Sequence, residues 1–199
     1  MGKLQELIEQ IKNLEKELYE ELQKRQEKFY YQIQGKKVRF EKAVRRHHKA
    51  LSTGFFAYLF QARLRNMLTV PFIWAGMAPA VFLDVVVSIF QTVCFPIYQI
   101  PKVRRSNYIV IDRHSLAYLN IIEKINCVYC GYFNGLIAYV HEISARTEQH
   151  WCPIKHARRT DHFHSRYSKF LEFGDGDNYR ERFNEVRNDF KDLDEKTDV

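Results

Sequence analysis

Three of the chain's four cysteines and three of its eight histidines fall within residues 127–156, CVYCGYFNGLIAYVHEISARTEQHWCPIKH. Cys127 and Cys130 are three apart and Cys152 and His156 four apart, so each pair shares a face wherever its segment is helical. The pattern C-x2-C-x21-C-x3-H supplies four soft or borderline ligands in two short pairs, joined by a span long enough to fold back on itself. A tetrahedral zinc ion takes such a set, and holding the thiols as thiolates would tie residues 127–156 into one loop and contribute directly to folding. The expectation is a Cys3His metal site at Cys127, Cys130, Cys152 and His156, holding zinc in a structural rather than a catalytic role. Glu123 and Glu148 each precede a cysteine by four, which places a carboxylate one turn upstream to support the ligands from outside. An iron-sulfur cluster or an iron centre is the alternative for the same residues, although a cluster usually takes four thiolates.

The leading CVYC pair also suits a different chemistry. A CxxC at a helix start lowers one thiol's pKa and cycles between dithiol and disulfide. CVYCGYFN resembles the CxYCxxxH signature of alkylhydroperoxidase-like helical proteins, and the resemblance implies a peroxide-linked redox couple; where those proteins carry the histidine this chain has Asn134. A membrane-bound pair that exchanges electrons with a quinone, with Cys94 or Cys152 as resolving partner, stays open beside it. His141, His150, His162 and His164 crowd the same region without an assigned role. The sequence contains no GxSxG, HExxH, P-loop or GxGxxG, so the hydrolase, nucleotide and dinucleotide chemistries those motifs mark have no support.

Positioning such a site falls to helices. Leu4, Leu7, Ile11, Leu14 and Leu18 alternate steps of three and four, an a/d seam, and Leu22, Phe29, Ile33 and Phe40 continue it after a slip. Residues 1–33 read as a coiled-coil arm that drives homo-oligomerisation, or as an amphipathic helix packed on its own domain. Residues 34–68 read as a basic aromatic interfacial helix: Lys42, Arg45, Arg46, Lys49, Arg63 and Arg65 supply cations for headgroups, and Phe55, Phe56, Tyr58 and Phe60 supply rings for their boundary. The expected partner is anionic membrane lipid. Nucleic acid is the rival for the same charges, and no recognition module accompanies them.

Residues 69–100 form the hydrophobic membrane segment, for Val70 to Tyr98 holds one charged residue, Asp84. About 20 apolar residues cross a bilayer, so one span fits, and Pro79 and Asp84 suit either a kinked span or a re-entrant hairpin. The soluble alternative is a buried helix pair. Residues 101–173 are the Cys/His domain, with helices expected near 115–126 and 128–148. Gly131, Asn134 and Gly135 allow a close approach or a break between them, and another helix begins at Pro153 with Cys152 near its N-cap. Residues 174–199 are a charged helix and tail, with Phe183, Val186 and Phe190 as its apolar face.

The fold class is thus mostly α. The formal net charge of +7 divides into a basic body and an acidic tail, since residues 160–199 hold 11 Asp/Glu against 7 Lys/Arg. Few cysteines and no apolar leader imply a reducing compartment, and Glu6 stands where a myristoylation motif requires Ser or Thr. The functional expectation is a membrane-anchored scaffold or assembly component with its metal domain on the cytoplasmic side. A membrane thiol-disulfide oxidoreductase and a basic nucleic-acid-binding protein are the alternatives.

Overall fold

The computed structural model of this chain is mostly helical and describes residues 3–29, 31–34, 37–61, 64–158 and 160–194. The chain divides into two compact units, Met1–Ala62 with Asp112–Val128, and Arg63–Ile111 with Tyr129–Val199.

The first unit opens with α1 (Lys3–Lys28). Leu14, Leu18 and Leu22 are exposed, so this part of the stripe is not packed against the chain itself. The expected continuation of the heptads through Ile33 and Phe40 is not helical. Tyr31–Gln34 (β1) and Lys37–Phe40 (β2) pair antiparallel, with Tyr31 opposite Phe40 and Ile33 opposite Val38. The period-two alternation of aromatic and β-branched residues wins over a seven-residue spacing. Residues 34–68 are therefore not one helix: β2 is followed by α2 (Lys42–Ala50) and α3 (Phe55–Gln61), and α4 starts at Leu64. Within this unit the Phe40 ring meets His48 at 5.4 Å and His48 meets Tyr118 at 5.2 Å.

The second unit contains α4 (Leu64–Ala75), α5 (Met77–Ile97), most of α6 (Ile121–Trp151), α7 (Gly176–Asn188) and the short α8 (Lys191–Asp194). Pro79 lies in the first turn of α5, where its missing N–H removes no intrahelical bond, three residues after the break at Gly76 that separates α4 from α5. Contacts between α5 and α6 ascend together, Asp84 with Tyr132, Gln91 with Tyr139 and Tyr98 with His150. Parallel helices in sequence need a connection that returns, and here it returns between them. Val103 is bound by Gln91, Arg105 by Asp84, and the backbone at Tyr108–Ile109 lies on Gly135.

That last contact explains the glycine. A Cβ on Gly135 would stand 2.6 Å from the Tyr108 carbonyl oxygen and 2.8 Å from the Ile109 Cα, and one on Gly131 would stand 3.3 Å from the Val110 oxygen. Gly131 and Gly135, four apart on one helical face, make a groove for a passing backbone. They do not break the helix: α6 is one element of 31 residues where two were expected. Around the groove gather Phe95, Ile100, Val103, Leu136, Tyr139, Ile143 and Phe190 as the buried core. Phe190 carries the end of α7 into that core, and each large apolar side chain so buried contributes about 1.5–3 kcal/mol.

Gly135→Ala therefore forces the return segment off α6 and destabilises the chain by about 1–3 kcal/mol as overpacking. Gly54→Ala, at a position with nothing within 4 Å, leaves stability unchanged. Thermal unfolding of both variants in detergent checks the contrast, and a Gly135→Ala melting point equal to wild type contradicts the packing.

Candidate functional site

On α5 the usual polarity of a surface helix is reversed. Ala80, Asp84, Ser88, Gln91 and Phe95 follow one another at steps of four, four, three and four, and that face turns inward. Phe82 (72 % exposed), Val85, Ile89, Val93 and Ile97 (69 % exposed) turn outward. A helix at a water interface does the opposite. Met67–Ile97 is long and apolar enough to cross a membrane, and only 22 % of its most apolar stretch is buried, so it is not the enclosed core helix of the soluble alternative. The outward Thr92 hydroxyl donates to the Ser88 carbonyl at 2.6 Å, which leaves no free donor on that side chain.

The inward polar groups are all partnered. The Arg105 guanidinium donates to Asp84 from Nη2 at 2.6 Å and from Nε at 3.2 Å, and the Tyr132 hydroxyl donates to the same carboxylate at 2.9 Å. Arg105 also lies over the Tyr132 ring at 5.9 Å. Gln91 accepts the Val103 N–H at 2.9 Å and donates to the Tyr139 hydroxyl and the Val103 carbonyl. A charged residue inside an apolar run has thus found protein partners. Arg105, Tyr132 and Gln91 escaped the sequence reading; a lone glutamine in an apolar stretch was the available signal.

The four residues expected to hold a metal are not brought together. The intervening helix puts Cys130 and Cys152 about 30 Å apart at 1.5 Å per residue, whereas thiolates on one zinc ion each lie about 2.3 Å from it. Cys152 lies past the end of α6 and starts no helix, for Ile154 forms an isolated bridge with Leu171. His156 is exposed, donates its backbone N–H to the Tyr167 hydroxyl at 2.8 Å and stacks on that ring. Among the described residues no three His, Cys, Asp or Glu side chains are placed to hold one ion. The two glutamates have other work. Glu123 caps α6 reciprocally, its carboxylate accepting the Asn120 N–H at 2.8 Å while the Asn120 side chain accepts the Glu123 N–H at 3.0 Å. Glu148 faces His164 Nε2 at 3.1 Å.

Of the cations expected at a lipid interface, Lys42, Arg45, Arg46 and Lys49 are exposed on α2; Arg63 and the Arg65 side chain lie outside the described residues.

Beyond the apolar face, the second unit carries a polar network around α6. Glu142 accepts from Arg146 Nε at 2.9 Å and from the Ser165 hydroxyl at 2.8 Å. Arg166, 2 % exposed, donates to Gln149 at 2.6 Å and grips both oxygens of Asp192. His141, His162 and His164 do approach one another, with His141 5.4 Å from His162 and 6.2 Å from His164 between ring centroids. His164 Nδ1 accepts the Arg166 N–H, so its proton sits on Nε2 facing Glu148. Burial pushes His164 below the ordinary imidazole range despite that carboxylate, and burial beside Arg187 does the same to His150.

Burial works against the charge of Asp192, but hydrogen bonds from Arg166 and Lys169 outweigh it and hold its carboxyl well below the usual range. A carboxyl depressed in the folded state contributes its stability above the unfolded value, about 3.9, and loses it as pH falls through the folded one. Compared with known protein families, curated proteins and solved structures, the chain matches none.

The melting temperature is expected to fall below pH 4 as Asp192 of the unfolded chain takes up its proton while the folded one stays ionised, and Asp192→Asn to be less stable at pH 6 with a flatter acid limb. Thermal scans from pH 6 to pH 2.5 decide it; parallel acid limbs in the two proteins contradict the assignment. Metal analysis adds a second check: Cys130→Ser and Cys152→Ser are expected to leave metal content and folding as in wild type, and joint loss of one zinc per chain would reinstate the Cys3His clamp.

Proposed function

We propose that this protein is a membrane-anchored helical scaffold, held in the bilayer by α4 and the outward face of α5, with the polar remainder of its second unit outside the hydrocarbon. The observation that carries the reading is the reversed polarity of α5: Asp84, Ser88 and Gln91 are spent on protein partners, while Phe82, Ile89 and Ile97 are presented outward. In water that arrangement exposes a large apolar surface for nothing in return; in lipid it is the arrangement of lowest cost. Phe72 on α4, 81 % exposed, extends the same surface.

The rest of the chain supports an anchoring role. In chain order the exposed cations of α2 precede the apolar helices, and Lys102 and Arg104 follow them, which suits attraction to anionic headgroups. We place both clusters, and with them the polar part of the second unit, on the cytoplasmic side, which a re-entrant passage of the apolar segment satisfies. Leu14, Leu18 and Leu22 on α1 offer a seam to a second copy of the chain, so the anchored protein presents an assembly surface.

Phe82→Lys and Ile89→Lys separate this reading from a soluble one. At an exposed position in water each is near neutral, within about 0.5 kcal/mol, whereas at the centre of a membrane helix each costs about 3 kcal/mol. Wild type is expected to stay with the membrane pellet after alkaline carbonate washing and the double variant to shift to the supernatant. Wild-type protein that is monodisperse without detergent and absent from the pellet would defeat the proposal.

A further inference from the structure

A cavity of about 460 Å³ opens in the second unit where the return segment passes α6, and its polar chemistry is one-sided. Its two acids are already spent. Glu142 takes Arg146 and Ser165 on its separate oxygens, and Asp192 takes Arg166 and Lys169. Arg166 is largely spent too, with four of its five N–H groups bonded to Gln149, Asp189 and Asp192.

The donors that remain point to a ligand the chain does not supply. Arg146 is 7 % exposed, gives Nε to Glu142 and Nη1 to the Pro101 carbonyl at 2.8 Å, and has no partner for Nη2 among the described residues. Lys102 and Arg104 stand exposed on the same lining and take part in none of the ion pairs of the described residues. Asn107 and Tyr108 add an amide and a hydroxyl that form no side-chain hydrogen bond among the described residues. Two unpaired cations, two neutral donors and the spare Nη2 of Arg146 therefore line a space whose carboxylates are neutralised. A buried guanidinium with an N–H to spare beside two unpaired cations is an arrangement that a tetrahedral oxyanion fills, because such an anion accepts several charge-assisted bonds at once.

We propose that this cavity binds a phosphate group, carried by a phosphomonoester: Arg146 is the buried anchor, and Lys102 and Arg104 close over the ligand from the rim. The volume accepts a glyceryl phosphate and falls within the range of small-molecule sites. The group arrives either on a soluble metabolite or on the headgroup of an anionic lipid. The lipid source rests on the membrane anchor proposed above; the soluble source does not, so the two fail separately.

The test uses the full chain in neutral detergent, titrated with glycerol 3-phosphate by calorimetry, and the same chain in nanodiscs of phosphatidylcholine with and without phosphatidic acid, read by hydrogen exchange across residues 101–108. Lys102→Gln/Arg104→Gln removes rim charges that hold no part of the fold, Arg146→Lys keeps the Glu142 pairing but removes the free fork, and Arg113→Gln, in the first unit, is the charge control. Glycerol 3-phosphate binding that weakens at least tenfold in the first two proteins and not in the control supports the site with a soluble ligand. Protection that appears only with phosphatidic acid, with the same dependence on the variants, supports it with lipid as the source. No binding and no protection in either arm, or an effect equal in the control, overturns it.

Discussion

The close passage of a backbone over Gly131 and Gly135 is the constraint on which the second unit depends. Two helices that run parallel and follow one another in sequence must be joined by a returning strand of chain. Here that strand has no hydrogen-bonded ladder of its own, so its polar backbone needs partners from the side chains on either hand. Gln91 provides both an acceptor and a donor to Val103, and this works because the segment lies deep between the helices. With a methyl group at position 135 the segment would ride higher, and Val103, Arg105 and Ile109 would lose their places together. The glycine contact, the Gln91 clamp and the Asp84–Arg105 pair are three readings of one depth.

That depth also sets where polarity is allowed. Asp84, Ser88 and Gln91 would be liabilities on a helix facing hydrocarbon, and each is converted into a fastening by pointing at the return segment or at α6. The outward face then carries no polar duty and is free to be apolar throughout. Farther along α6 the same logic operates with charges. Glu142, Arg146, Gln149 and Arg166 form linked bonds that bring in Ser165, Asp189 and Asp192, and so bind the C-terminal helices to the end of α6.

Much of this was legible in residues. The mostly helical character, the apolar segment with its single charge at Asp84 and the value of small residues at 131 and 135 all followed from composition and spacing. The hairpin at Tyr31–Phe40 was missed because Phe29, Ile33 and Phe40 happen to suit a heptad, while the alternation that identifies strands spans only four residues on each side. The four expected ligands lie apart for a geometric reason: C-x2-C and C-x3-H are local patterns, and only the state of the 21 residues between them decides whether they meet. Those residues are helical without interruption, and a rod cannot fold back. Glu123 illustrates a related ambiguity, since a carboxylate three residues after an asparagine marks a capping box as readily as a ligand's support.

The order in which the Asp84 contacts are made has a consequence for biogenesis. Asp84 emerges from the ribosome 21 residues ahead of Arg105 and 48 ahead of Tyr132. At a synthesis rate of about 5–20 residues per second, the apolar helix is delivered with its carboxylate alone for roughly one to four seconds, and without the tyrosine for up to about ten. Through that interval the α5–α6 contact does not yet exist, and the finished seam has to be assembled backwards, around a helix that is already in place. A nascent chain of this design has a window in which its apolar helix is at its most polar, and the window closes only when the glycine groove arrives.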